Sequence, residues 1–219
     1  GWCADLVGDP GTGAIRRPST AMTATTVLFH GPGWQVRTLA AGQVPLLQAL
    51  FDANPGYFHT VNGRPAAPDA AQLEFDELPP PHLPFRQRWV AGLFDDAGAL
   101  RGSLVLVADL GAPGVWHIAL LLVDQARHGS GLAAQVMAEL QAWAGSQGAQ
   151  WLRLGVVVGN VRAQRFWLRQ GFTVTRLRRG IDTGGRLNDL QVMVKPLAGG
   201  TLPDYLTQVP RDAPGADLP

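Results

Sequence analysis

The fold is decided by the segment VDQARHGSGLAAQVM, from Val123 to Met137. In this segment a run of apolar residues gives way, through Gly129-Ser130-Gly131, to an amphipathic pattern that predicts a helix. Glycines let the backbone turn tightly and bring its N–H groups close to a ligand, and the N-terminus of a helix favours negative charge. The segment therefore predicts a binding site for phosphate groups.

Three other interpretations of this turn are a P-loop, a dinucleotide-binding turn and a connection that binds no ligand. A P-loop needs Lys and Ser or Thr after its last glycine, and Leu132-Ala133 stand there instead, so this interpretation is excluded. A dinucleotide-binding turn stays open, because Gly129, Gly131 and Ala134 fit the pattern G-x-G-x-x-A. Against it, five residues separate the apolar run from the first glycine, and the next predicted strand ends without an acidic residue for a ribose hydroxyl. A glycine-rich connection that binds no ligand is the remaining alternative.

Strand and helix patterns alternate on both sides of the turn. Nearly continuous apolar runs at 115–123 and 151–158 predict strands that are covered on both faces. The other predicted elements are strands at 34–39, 88–94, 102–108, 172–178 and 189–194, and helices at 44–53, 69–78, 131–145 and, capped by Asn160, 160–171. The sequence thus predicts one α/β domain over residues 34–198. Residues 1–33 are expected to be an extension, with Met22 a candidate natural start, and residues 199–219 a tail.

The composition is that of an ordinary globular protein. Of 219 residues 46% are hydrophobic, which suffices for one sizeable core. The formal net charge of +1 gives no field that would attract nucleic acid or an anionic membrane. A single cysteine, Cys3, excludes an internal disulfide framework and a cysteine-built metal centre. Neither an apolar stretch of about 18 residues nor a secretory signal is found. We expect a cytoplasmic protein that uses no metal and binds neither nucleic acid nor membrane.

Two motifs in the sequence resemble those of the GNAT N-acetyltransferase family. Residues 128–133, HGSGLA, are similar to the family's pyrophosphate motif Q/R-x-x-G-x-G/A, and residues 123–127 resemble the strand end and linker before it. Residues 160–172 resemble the family segment N-x-x-A-x-x-(apolar)-Y-x-x-x-G-F, with Trp167 in place of the tyrosine. The two motifs are separated by the expected helix and strand. Together they are more specific than either one.

The resemblance implies a fold and a cosubstrate. The fold would be the GNAT-type acyl-CoA N-acyltransferase fold, a mixed α/β sheet of about seven mostly antiparallel strands with a splayed central parallel pair, and about four helices. The cosubstrate would be acetyl-CoA, with pantetheine in the gap between strands 115–123 and 151–158 and the pyrophosphate on the turn. The residues implied to contact it are Leu121, Leu122, Val123, His128, Gly129, Ser130, Gly131, Leu132, Ala133, Asn160, Ala163, Phe166 and Trp167.

Two positions depart from the family pattern. His128 stands where Gln or Arg is usual, and we expect only a modest effect because the contacts there are mostly made by backbone N–H groups. Trp167 stands where a tyrosine commonly protonates the departing thiolate. An indole N–H donates a hydrogen bond but releases no proton near neutral pH, so the expected general acid is missing from this position.

An amine acceptor also needs a base, because an amine of pKa near 10.4 is almost fully protonated at pH 7, which amounts to about 4 kcal/mol. His117 is the one titratable side chain on the strand before the turn, and some family members carry a base there. We predict that His117 is catalytic; the alternative is a buried structural histidine beside Trp116. The predicted acceptor contacts are Tyr57, Phe58, His59 and Trp116.

The leading functional hypothesis is direct transfer of an acetyl group from acetyl-CoA to an amine of a small molecule or peptide. An acyl-CoA binding or sensing module without turnover is the alternative that Trp167 suggests. A dinucleotide-binding oxidoreductase is the alternative that the G-x-G-x-x-A pattern suggests. The resemblance further implies that the protein can form a homodimer.

Overall fold

The computed structural model describes residues 25–216, which form one eight-stranded sheet with helices on both faces. The strands follow the order β1-β2-β3-β4-β5-β6-β8-β7 across the sheet, and every neighbouring pair is antiparallel except β5 and β6. The strands are β1 (Val27–Gly31), β2 (Trp34–Thr38), β3 (Gln87–Asp95), β4 (Leu100–Ala108), β5 (Val115–Val123), β6 (Trp151–Val157), β7 (Thr173–Asp182) and β8 (Leu187–Pro196). The mixed sheet with one parallel pair confirms the predicted fold class, with one strand more than expected.

Within residues 25–216 six α-helices cover the sheet, two more than predicted. They are α1 (Val44–Asp52), α2 (Pro55–Asn62), α3 (Ala70–Asp76), α4 (Leu132–Ser146), α5 (Val161–Arg169) and α6 (Leu202–Gln208). Buried residues of α4 and α5 pack on one face, around an aromatic cluster of Trp89, Trp116 and Trp143. Buried residues of α1, α2 and α3 pack on the other face. Because β5 lies between these two layers, its sequence is nearly all apolar, as the pattern predicted.

Both predicted ends of the domain need correction. Strand β1 falls inside the predicted extension, where Phe29 is buried and packs 5.6 Å from Trp143, ring centre to ring centre. Helix α6 falls inside the predicted tail, where Tyr205 is fully buried. Each segment is short, so no clear periodicity identified it. Residues 1–24, with Cys3 and Met22, and residues 217–219 lie outside the described residues.

Candidate functional site

The strands β5 and β6 separate in the middle of the sheet. They pair in parallel only from Val115 opposite Trp151 to His117 opposite Arg153. Beyond this last pair, which we call the fork, β5 continues for six residues along β4 and β6 continues along β8. The pairing of β5 with β4 shifts register near Ala119, as a bulge that bends a strand would do. Past the fork the facing edges pair with no other strand of residues 25–216.

The glycine-rich turn follows β5 directly. Gly129 and Gly131 have φ angles of +81° and +84°, and Gly131 is the residue that caps α4. Among the described residues, the N–H groups of Gly129, Gly131 and Ala133 donate to no protein acceptor. The side chain of Ser130 folds back instead, donating to the carbonyl of Arg127 at 2.6 Å. Main-chain donors at a helix N-terminus are what a diphosphate requires.

Helix α5 lies beyond the other strand of the pair. Its first turn is capped by Asn160, whose Oδ1 accepts from the N–H of Ala163 at 3.2 Å. This contact is the capping role that the residue type alone suggests. Trp167 is only 8% exposed and lies between Phe166 and Phe172, with ring centres 5.0 and 5.2 Å away. The tryptophan therefore packs as a core residue, which keeps its indole rigid.

His117 is fully buried at the fork. Its Nδ1 lies 3.2 Å from Nη1 of Arg153, and because a guanidinium only donates, Nδ1 must accept. The proton of the neutral ring then lies on Nε2, so the ring has no lone pair left for a substrate proton. A catalytic role for His117 stays a prediction, and these contacts favour the alternative of a buried structural histidine.

The predicted acceptor residues are not brought together as one wall. Tyr57, Phe58 and His59 lie within helix α2, where the sequence predicted a connection between helices. Successive helical residues point about 100° apart, and accordingly Phe58 is buried in the core while His59 is exposed. Trp116 is also fully buried, stacked 5.3 Å from Trp89 on the face opposite α2. A contact of Trp116 with an acceptor stays a prediction, and its burial favours a role in the core.

This geometry agrees with a comparison against protein families. The profile described as the acetyltransferase (GNAT) family matches residues 47–172, more than half of the chain. The chain belongs to the GNAT acetyltransferase family. The match covers both the turn and the α5 segment, and it identifies the protein as an acyltransferase of the acetyl-CoA-dependent kind.

Solved structures with the GNAT fold resemble this one along most of its length. An acetyltransferase from Thermus thermophilus is 23% identical, with a TM-score of 0.57, over 76% of this chain and 99% of that one. Spermidine N-acetyltransferase from Vibrio cholerae, solved with CoA and spermine, is 14% identical with a TM-score of 0.58, over 77% and 98%. A protein described as a putative phosphinothricin N-acetyltransferase is 16% identical with a TM-score of 0.58, over 75% and 98%. Among curated proteins, no sequence relative is detected.

His128 departs from the usual GNAT residue in a way that the geometry explains. Its Nε2 lies 2.9 Å from the carbonyl oxygen of Val123, so Nε2–H donates to the end of β5. This contact ties the turn back onto the strand that precedes it. The side chain thus supports the turn, while its own phosphate contact stays a prediction.

Sequence reasoning missed a buried polar cluster at the fork of this GNAT domain. Arg153 forms a bidentate pair with Asp212, with Nε–Oδ2 and Nη2–Oδ1 distances of 2.8 and 3.0 Å. The hydroxyl of Tyr205 donates to the same carboxylate. Burial raises the pKa of Asp212, but the charge of Arg153 and the hydrogen bonds outweigh it and hold that pKa below its ordinary value. Burial and the charge of Asp212 raise the pKa of Tyr205 far above its usual value, so the phenol stays protonated.

Other features of the described residues do not add to the site. No group of three or more His, Cys, Asp and Glu side chains in residues 25–216 is arranged to hold a metal ion. None of the helices in that range has the length and apolar character needed to cross a bilayer. A surface concavity of about 630 Å³ on α1 and α3 includes none of the predicted site residues.

Proposed function

We propose that this GNAT protein transfers an acetyl group from acetyl-CoA directly to the amine of a small molecule or a peptide. One observation carries the proposal: a sheet fork opens beside a turn in which the N–H groups of Gly129, Gly131 and Ala133 have no protein acceptor among the described residues. Family membership supports the cosubstrate. A connection that served only to join a strand to a helix would not need two glycines at positive φ next to a parted strand.

The turn and the fork hold different parts of the cosubstrate in this proposal. The N–H groups of Gly129, Gly131 and Ala133 donate to the diphosphate, and the dipole of α4 adds to the attraction. Main-chain groups of Leu121 to Val123 pair with the pantetheine arm, as an added strand would. Apolar side chains on β5 do not interfere, because the contacts are made by the backbone. The thioester supplies the activated acyl group.

The proton balance does not depend on the two predicted residues. His117 offers no lone pair, so the amine loses its proton to another group or to water before attack. Trp167 cannot protonate the departing sulfur, but a thiol of pKa about 8.5 leaves tolerably well as thiolate. We therefore expect the turnover rate to rise with pH as the acceptor amine becomes neutral.

The acceptor site lies, in our proposal, between α2 and the edge of the fork. Tyr57 lies next to Phe58 on α2, with ring centres 5.1 Å apart, and both belong to the layer that packs on β5. His59 lies on the exposed side of α2, as an outer contact. Similar structures include enzymes named for spermidine, phosphinothricin and a ribosomal-protein alanine. Because acceptors this different share one fold, a broad amine panel is the appropriate test.

The experiment measures free thiol released from acetyl-CoA with polyamines, amino acids, aminoglycosides and peptide N-termini as acceptors. The proposal expects release with at least one class of amine and none without an amine. The absence of release from every acceptor, with protein that binds CoA, would refute the transfer. Gel filtration of the same protein tests the proposed homodimer. The proposed location is the cytoplasm.

A second candidate is an acyl-CoA binding module without turnover. The buried, tightly packed Trp167 favours it, because no proton donor stands at this position. This candidate predicts the same affinity for CoA and no product with any amine. Any sustained turnover excludes it.

A further inference from the structure

A buried ion pair joins the C-terminal part of the described residues to the fork. Arg153 and Asp212 are 3% and 0% exposed, and the pair is bidentate. Nη1 of the same guanidinium donates to Nδ1 of His117, its partner in the last pair of β5 and β6. One cation therefore contacts both parting strands and the C-terminal segment, which we define as residues 201–216.

The C-terminal segment makes further contacts across this region of the sheet. The ring of Tyr205 lies 5.4 Å from that of Trp151, at the start of β6, and packs in one cluster with Val115 of β5. On the edge strand β7, Arg176 donates to the main-chain carbonyls of Arg211 and Ala216. The segment thus touches β5, β6 and β7.

A buried ion pair at the fork fixes the positions of the residues that form it and adds little to the stability of the fold. Removing two charges from water opposes their attraction, so such a pair adds little net stability, while loss of one partner leaves an uncompensated charge. Its geometry is strict, because the planar guanidinium meets the carboxylate at two points. Apolar parallel strands such as β5 and β6 would otherwise gain hydrogen bonds by pairing further. The ion pair holds both strands at their last pair, and the bulge near Ala119 bends β5 beyond that point.

We propose that the C-terminal segment is a positioning element of the acyl-CoA cleft, and that Arg153 and Asp212 fix the point at which β5 and β6 part. Arg153 is a positioning residue in this role, since it acts through the strands. The expected effect on CoA binding rests on the proposed function. The geometry of the fork can be tested without any ligand.

The experiment compares Asp212→Asn with a matched variant, Glu74→Gln. Glu74 and Arg88 form another buried ion pair, 3.7 Å apart, which joins α3 to β3, two strands across the sheet from His117 and without contact to Arg153 or Asp212. Hydrogen exchange of the full chain without ligand is measured first. For Asp212→Asn we expect about tenfold faster exchange in peptides covering 115–118 and 151–154, because a lost buried partner loosens its surroundings. For Glu74→Gln the same peptides should exchange as in the wild type.

Affinity for CoA is measured second. We expect Asp212→Asn to weaken CoA binding by about tenfold and Glu74→Gln to leave it unchanged. If Asp212→Asn does not fold, Tyr205→Phe takes its place, because it removes only the hydroxyl that donates to Asp212. We expect this variant to change exchange and affinity in the same direction by about twofold to fivefold.

The outcomes separate the two proposals. Faster exchange confined to the fork supports the inference, whether or not CoA binds. Unchanged exchange at the fork, or an equal increase in the whole sheet, overturns it. A wild-type protein with no affinity for CoA would overturn the proposed function instead, and the exchange measurement would still decide the role of the C-terminal segment.

Discussion

Replacing Gly131 by alanine tests the turn directly. Gly131 caps α4 with φ of +84°, a conformation that costs a residue with a Cβ about 1–2 kcal/mol. A Cβ built there meets no atom within 4 Å, so no steric clash is added. Alanine also restricts the unfolded chain, which returns about 0.4–1 kcal/mol. We expect the free energy of unfolding of Gly131→Ala to fall by about 1 kcal/mol.

Gly145→Ala is the matched control on the same helix. Gly145 lies in the last turn of α4 and its added Cβ also meets nothing within 4 Å, but its φ is not positive. Alanine is favoured over glycine within a helix by about 0.5–1 kcal/mol, so this variant should be more stable than the wild type. The two sites lie about 21 Å apart along the helix axis. Gly145→Ala should therefore leave CoA binding unchanged.

Urea unfolding followed by tryptophan fluorescence measures the stability of both variants, and calorimetric titration measures their affinity for CoA. We expect Gly131→Ala to bind CoA about tenfold more weakly, because a strained turn no longer aims its N–H groups at one point. Equal stability of the two variants would refute the conformational argument. Unchanged affinity in Gly131→Ala would refute the assignment of the turn to the diphosphate.

Three further predictions concern the site. Trp167→Tyr should exceed Trp167→Phe in turnover number by at least about tenfold, since only tyrosine adds a proton donor; steady-state kinetics measures this. His117→Gln retains an acceptor for Arg153 and should leave the shape of the pH–rate profile unchanged, whereas loss of the acid limb would identify His117 as a base. The carboxyl of Asp212 has a lowered pKa when folded, so its contribution to stability is present above about pH 4 and disappears at lower pH. Acid unfolding curves of Asp212→Asn should lack that step.

The central strands and the turn could be predicted because their signals are local. The run 115–123 is apolar except for His117, and the structure gives β5 the same bounds. The two glycines of the turn signal positive φ by residue type alone, as found at Gly129 and Gly131. Helix α2 was missed although a signal existed. Pro55 fits the first position of a helix, and Gly63, at φ of +72°, fits its end.

The C-terminal segment could not be predicted because its stability comes from distant partners. Asp212 is buried only because Arg153, 59 residues earlier, meets it. A Pro-rich and Asp-rich sequence has no periodicity that reveals such a partner. The contact of His117 also depends on Arg153. The residue type predicted a base, whereas the structure shows Nδ1 of His117 accepting a hydrogen bond from Arg153. The sequence thus identifies candidate functional residues, but it does not identify the residues that they contact.

The central claim is that main-chain N–H groups at the start of α4 hold the diphosphate of coenzyme A. Calorimetric titration of the wild-type protein with CoA and, separately, with pantetheine, which lacks the diphosphate and the adenosine 3′-phosphate attached to it, tests it most directly. Because hydrogen bonds to charged groups contribute about 1.5–3 kcal/mol each, we predict that CoA binds at least about 100-fold more tightly than pantetheine. Equal affinity for the two compounds, or no affinity for CoA, would contradict the account.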